Sequence, residues 1–382
     1  MKILFICGAL APGRDGVGDY TRRLAGAIQL MGHQSSIIAL YDPYIPEEII
    51  AEQPADGSHV NTLRIPQQTG HIDRYRHVKE WVNAFEPEWI SLQFVPYAYN
   101  SKGMPFSLER ELQKLLVNER RLHIMFHETW IGVENGINLK RRLTAALQQN
   151  LIRRMIKRLH PAVIHTQLPV TMKKLEAIVP GVKPLPLFSN IEVACQPGEL
   201  YPSVLRVGFF SQAAANPFVI SFLKNLSKNA EASGVGLELL FIGGDPDRMK
   251  MAGDAIGRSG NFKHPILYTG FLPAEGISAA LQSCSLGITL VPRHALGKSG
   301  SVAAFLQHGI PVAAPVIQPG LDAMEIGFFS TSLCSAILLT PDVNALAIAG
   351  KAATAAKNEI GLPVISNIFL EDILLAKPRK LK

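Results

Sequence analysis

No apolar run in this 382-residue chain reaches the ~18–20 residues that span a bilayer. A membrane-spanning helix is therefore not expected. The apolar start "MKILFICGALAPG" is broken early by glycine and proline, and reads as a buried first strand rather than a signal peptide. Cysteine is scarce: Cys7, Cys195, Cys284 and Cys334 lie far apart with no CxxC spacing, which argues against a zinc site or a disulfide framework and points to a reducing cytoplasm. No zinc-finger or RNP signature is present, so nucleic acid is not an expected partner. Two nucleotide motifs also fail. Gly297-Lys298-Ser299 resembles the end of a Walker A loop, but Pro292 stands where the first glycine belongs. Gly16-x-Gly18 is not completed to a dinucleotide fingerprint, and Asp42 ends the second strand only by coincidence of position.

What is present is a moderately apolar globular composition, 47% hydrophobic and 18% charged, with a net charge of +7. The positive balance favours an anionic partner, whether nucleic acid, an anionic membrane surface or a phosphorylated small molecule. The length suits two domains of ordinary size. Short apolar runs, "KILFICGAL", "SSIIALY", "WISLQFV", "LHIMFHE" and "AVIHTQ", alternate with helical patterns near 18–32, 73–86, 107–120 and 137–159. After the proline-rich stretch at 188–203 the alternation restarts with "LRVGFFS", "LELLFIGG", "ILYTGFL", "LGITLVP" and "PVAAP". The pattern predicts an α/β protein of two Rossmann-like βαβ domains facing each other across a cleft. The expected divisions are 1–190, 203–365 and a C-terminal segment 366–382 that returns to the first domain.

Ligands of open α/β sheets bind beyond the carboxyl ends of the strands, so the loops there hold the candidates. Gly16 and Gly18, at the start of the first helix, let backbone approach a ligand and offer helix N-terminal amides, or simply make a flexible loop. His127 and Glu128 end a buried strand; the histidine suits contact with a hydroxyl or a developing charge, against the plainer reading of a hydrogen-bonded loop residue. Gln93, Tyr97 and Tyr99 follow another strand and suit either sugar recognition or loop packing. Arg293, His294 and Gly297-Lys298-Ser299-Gly300-Ser301 precede the helix "VAAFLQHG". Amides at 299–301, Lys298 and Arg293 would make an anion site there; an ordinary helix cap is the alternative. In "LIRRMIKRLH" and the basic segment before it, Leu143, Leu147, Leu151, Met155 and Leu159 recur at helical spacing. A surface helix with one core face explains this, as does peripheral contact of residues 140–160 with anionic lipid.

"GVGDYTRRLA", strand-end His127, "TGFLPAEGISAALQSCSLGITLVP" and "GSVAAFLQHGIPVAA" together resemble family-4 retaining glycosyltransferases of the GT-B fold. The resemblance covers most of the chain. It implies transfer of a sugar from a nucleotide diphosphate sugar to an acceptor hydroxyl with retention of configuration, in polysaccharide or glycoconjugate synthesis. The implied partners are a nucleotide-sugar donor and a glycan or lipid-linked acceptor, with no cofactor or metal, at a cytoplasmic location that includes the inner membrane face. His127, Lys298 and Arg293 become the expected catalytic residues. Gly16, Gly18, Gly297, Ser299, Gly300 and Ser301 become expected donor contacts, and Gln93, Tyr97, Tyr99 and Glu128 acceptor contacts. The chain departs from the family pattern where relatives carry two glutamates, holding Leu296 and Ala304, and at a donor-binding arginine, replaced by Phe209. Either diphosphate binding has moved to Lys298, Arg293 and the amides at 299–301, or the chain is a non-catalytic glycan- or nucleotide-binding relative; the new Gly-Lys-Ser-Gly cluster favours the first.

Overall fold

The computed structural model describes residues 1–132, 138–194, 204–260, 262–318 and 326–376. Cys195, the later part of the 188–203 stretch and the last residues of the 366–382 segment lie outside them. The chain forms two compact units, Met1–Leu185 with Leu362–Lys382, and Pro186–Gly361.

The first unit contains β1 (Lys2–Cys7), α1 (Gly16–Leu30), β2 (Gln34–Asp42), β3 (Ile49–Ala55), β4 (Ser58–Pro66), α2 (His71–Phe85), β5 (Trp89–Phe94), α3 (Pro96–Tyr99), α4 (Leu108–Leu115), β6 (Arg121–Phe126), α5 (Leu139–Leu159), β7 (Val163–Thr166), α6 (Pro169–Glu176) and β8 (Lys183–Pro184). The second contains β9 (Val204–Phe210), α7 (Pro217–Ala232), β10 (Gly236–Ile242), α8 (Pro246–Gly260), β11 (Ile266–Tyr268), α9 (Ala274–Gln282), β12 (Leu286–Ile288), a 3₁₀ turn (Arg293–Lys298), α10 (Gly300–Gln307), β13 (Val312–Ala313), α11 (Thr331–Ser335), β14 (Ile337–Leu338) and α12 (Val343–Ala356). The chain then returns to the first unit as α13 (Leu362–Leu374).

Both sheets are built from strands buried on two faces, which is why their sequences are continuous apolar runs rather than alternations. "WISLQF" of β5 is buried at every residue. The first sheet has the order β3-β4-β2-β1-β5-β6-β7-β8 and the second β11-β10-β9-β12-β13-β14. All described pairs are parallel except β3 with β4. That hairpin has no counterpart among the strands read from the sequence. Asp56 and Gly57 turn it with φ of 46° and 88°, the left-handed pair that a two-residue hairpin needs. The helix expected over 107–120 also stops early, at Leu115, because Asn118 and Glu119 adopt φ of 56° and 61°. In each sheet the strand order reverses direction at one place, between β1 and β5 and between β9 and β12, and there the following loops diverge.

Helix α13 closes the first unit. Ile365, Phe369 and Ile373 are buried, and the Phe369 ring lies 5.9 Å from that of Phe5 in β1. Helix α5 divides along its length. Leu151, Met155 and Leu159 are buried, while Leu139, Leu143 and Leu147 are exposed. Arg154 and Arg158 bond the buried Glu109 of α4 at 2.9 and 2.7 Å, so part of the basic face holds two helices together. No helix among the described residues is long and apolar enough to cross a membrane.

In the second unit, α10 lies close to the sheet because Gly208 of β9 and Gly287 of β12 are paired neighbours with no side chain. The Phe305 ring rests on them: a Cβ added at Gly287 would come within 2.5 Å of that ring, and one at Gly208 within 3.1 Å of it and 2.6 Å of the Cys284 sulfur. Gly287→Ala should therefore destabilise the second unit by about 1–3 kcal/mol, since a packed core resists an added methyl. Phe305→Leu in the same chain should return part of that loss. Urea unfolding of the two variants measures it, and additive effects would contradict the contact.

Candidate functional site

The α10 N-terminus is built from the glycine floor upward. Pro292 ends the β12 loop and the 3₁₀ turn carries the chain to Ser299, whose hydroxyl caps the helix by accepting from the Val302 amide at 3.4 Å. Ser299 donates its own amide to Leu296, and Gly297 donates its amide to Gly327. Among the described residues this leaves the first-turn amides of Gly300 and Ser301 without a protein acceptor, as the opening of a helix requires. A Cβ added at Gly300 would meet nothing within 4 Å, so backbone is open to approach there. Exposed Lys298 precedes the cap. Of the expected amide donors at 299–301, those at 300 and 301 remain available, and the amide of Gly297, an expected donor contact, is engaged by Gly327.

Arg293 takes a different place from the one expected. Its Nε donates to the Ala314 carbonyl at 3.0 Å and its Nη2 to the Leu339 carbonyl at 3.4 Å, beyond the ends of β13 and β14. The guanidinium ties strand ends together while adding positive field to the loop. Leu296 and Ala304 are buried in the apolar cluster around Phe305, and Phe209 stacks on Phe241 at 4.7 Å. All three positions are committed to the core, where an unpaired charge would be costly.

The β1–α1 loop is less open to an anion than its glycines suggested. Asp15 caps α1 and accepts the Gly18 amide at 2.6 Å, while Asp19 accepts the Gly13 amide and pairs with Arg22 at 2.6 Å. Gly18 is required by packing, since a Cβ there would approach the Ala9 carbonyl oxygen to 2.5 Å; at Gly16 it would meet nothing within 4 Å. Sequence reading missed Arg22, whose Nη1 is buried without a partner among the described residues; the only signal was its position one turn after Asp19. Asp42 accepts from the Leu10 and Tyr44 amides and from Arg64, so its carboxylate braces this loop.

The loops after β5 and β6 surround His127. The imidazole is buried, its Nε2 lies 2.9 Å from Gln93 Oε1, and Tyr20 meets it edge-on at 5.1 Å. Burial pushes its pKa down to about 4, a hydrogen bond with Gln167 offsetting part of the fall. Gln93 is wholly buried and holds His127 rather than facing solvent. Tyr99 is also buried, its hydroxyl donating toward the carbonyls of Gln93 and Ile6, so it supports the loop rather than presenting a hydroxyl. Tyr97 and Glu128 are exposed, Tyr97 lying against Gly103. Gln167, which sequence reading missed, is 4% exposed and buries its amide nitrogen without a partner. Only its place just beyond β7 marked it.

No protein-family model and no curated protein matches the chain. Solved structures do match over nearly its full length. The sucrose-phosphate synthase of Thermosynechococcus elongatus superposes with a TM-score of 0.60 at 14% identity, covering 99% of this chain and 100% of that one. HepE of Anabaena, solved with UDP and glucose, gives 0.57 at 14% identity over 98% and 99%. A putative UDP-N-acetylglucosamine 2-epimerase of Listeria monocytogenes gives 0.52 at 13% over 100% and 99%. The chain has the GT-B fold of such glycosyltransferases, with two parallel-sheet α/β domains. That fold carries more than one reaction, so the activity rests on the site.

Burial also lowers the pKa of His123 and His165. The native state thus refuses protons that the unfolded chain accepts once pH falls below the free imidazole value of 6.5. Their contribution to stability is full above that value and is lost as pH falls. Part-buried His308 and His33 add in the same sense. The urea midpoint should therefore drop between pH 7 and pH 5.5, above the carboxylate range. His127→Gln should flatten the drop, and a midpoint constant over that interval would contradict it.

Proposed function

We propose that the chain transfers a sugar from a nucleotide diphosphate sugar to an acceptor hydroxyl, with retention of configuration, in the synthesis of a polysaccharide or glycoconjugate. The observation that carries this reading is the α10 N-terminus, with the amides of Gly300 and Ser301, the helix dipole and Lys298 at one open point. Departure of a nucleoside diphosphate builds negative charge on phosphate oxygens, and fixed donors of this kind stabilise it without rearrangement. Arg293 holds the loop to the ends of β13 and β14 and raises the local potential. Full-length structural likeness to HepE, solved with UDP and glucose, supports the same ligand class.

His127 takes a different part. With a pKa near 4 it is neutral at pH 7, so it serves as a hydrogen-bond partner for a sugar hydroxyl rather than as a cation. Gly16 gives a ligand access to backbone at the start of α1. Exposed Tyr97 and Glu128 stand on these loops where an acceptor would meet them.

The apolar burial of Leu296 and Ala304 favours one rival, a binding protein of the same fold that has lost turnover. Thermal shift against UDP, GDP, ADP, CMP and their sugars, followed by transfer and donor-hydrolysis assays, separates the two. A nucleoside diphosphate should stabilise the protein by mass action. Lys298→Ala should weaken that binding about 10- to 100-fold, the loss of a charge-assisted hydrogen bond worth ~1.5–3 kcal/mol. Unaltered binding and turnover in that variant would remove the phosphate assignment. Binding without turnover in the parent chain would select the rival.

A further inference from the structure

A buried polar chain runs through the first unit from the strand-end histidine to the returning helix. His127 Nε2 lies 2.9 Å from Gln93 Oε1, and Gln93 Nε2 donates to Ser91 Oγ at 2.8 Å. Ser91 Oγ is 2.8 Å from His123 Nδ1, His123 Nε2 is 3.0 Å from His165 Nδ1, and His165 Nε2 is 2.9 Å from Asp372 Oδ2. Lys183 of β8 holds the other oxygen of Asp372. Gln93, Ser91, His123 and His165 are at most 1% exposed, and Phe369 of α13 packs its ring 5.0 Å from that of His123. Lys183 and Asp372 are the charged groups at the end of the chain.

Hydrogen-bond arithmetic gives this chain one direction. A carboxylate only accepts, so His165 carries its proton on Nε2 and offers Nδ1 as an acceptor. His123 then donates from Nε2 and accepts at Nδ1 from the Ser91 hydroxyl. Ser91 accepts from the Gln93 amide nitrogen, which leaves the Gln93 carbonyl to accept from Nε2–H of His127. Every donor points toward Asp372. The Asp372 carboxyl is itself held below the usual carboxylate range, His165 and Lys183 outweighing the effect of burial. The opposite direction would require a protonated Asp372.

We propose that Asp372 of α13 acts through His165, His123, Ser91 and Gln93 as a positioning relay that fixes His127 as the Nε2–H tautomer. Nδ1 of His127 is thereby an acceptor for a hydroxyl or amide donor. The consequence for ligand recognition rests on the reading of His127 given above, but the relay is measured without any ligand. An unpaired link in such a buried chain is costly, which couples neighbouring proton positions.

The test is the tautomer of each histidine in the full-length, ¹⁵N-labelled protein, read from imidazole nitrogen shifts and long-range couplings. In the parent chain His127, His123 and His165 should all be neutral and protonated at Nε2; Nδ1 protonation at any of them overturns the relay. In Asp372→Asn the amide oxygen faces the Lys183 ammonium, so the amide nitrogen donates to His165 Nε2. All three imidazole protons should then move to Nδ1, with Gln93 turning its amide. Adding Ser91→Ala should leave the change at His165 and His123 but return His127 to Nε2–H. A change confined to His165 in Asp372→Asn with Ser91 intact would overturn the proposal, and the parent tautomers decide it if that variant does not fold. Should the tautomers follow this pattern while no nucleotide sugar binds, the relay stands and the transferase reading falls.

Discussion

The contact of one aromatic ring with two bare strand positions organises the second unit. Gly208 and Gly287 pair across β9 and β12, where the strand order reverses, and Phe305 lies on both. A side chain at either glycine would lift α10 away from the sheet. Because they are bare, the helix begins just beyond the strand ends, where its dipole and first amides meet whatever binds there. Leu296 and Ala304 complete the same apolar layer, so both positions are committed to the seat of the helix.

The first unit solves a different problem. It carries a histidine at a strand end, deep enough to stay neutral, and surrounds it with groups that make and accept hydrogen bonds. Buried polar groups are tolerable only when each has a partner. Here the partners extend across β5, β6 and β7 to α13, so a helix contributed by the far end of the sequence becomes part of the surroundings of a residue near position 127. Among the described residues, one unit thus holds a helix start beside Lys298 and the other a buried, neutral imidazole.

Much of this was readable from sequence, for physical reasons. Buried parallel strands are unbroken apolar runs, and "WISLQF" or "LRVGFFS" admit few other readings. The β3–β4 hairpin was missed because its strands are polar and one contains Pro54; the Asp56-Gly57 pair was its one clear mark. Strand-end His127 and the Gly-Lys-Ser-Gly loop stood out by position. The hydrogen bonds that engage Arg293, Gly18, Gln93 and Tyr99 did not, because they join residues distant in sequence or depend on a cap geometry that spacing alone does not define. The relay through Ser91, His123 and His165 was invisible for the same reason. Its members alternate with apolar residues inside strands and become neighbours only when β5, β6 and β7 pair.

The central claim is that the start of α10 is an anion site. Backbone amide shifts of the ¹⁵N-labelled chain titrated with UDP test it most directly. The Gly300 and Ser301 amides should move saturably and by more than other amides of the second unit. Saturable shifts elsewhere with those two amides unmoved would contradict it.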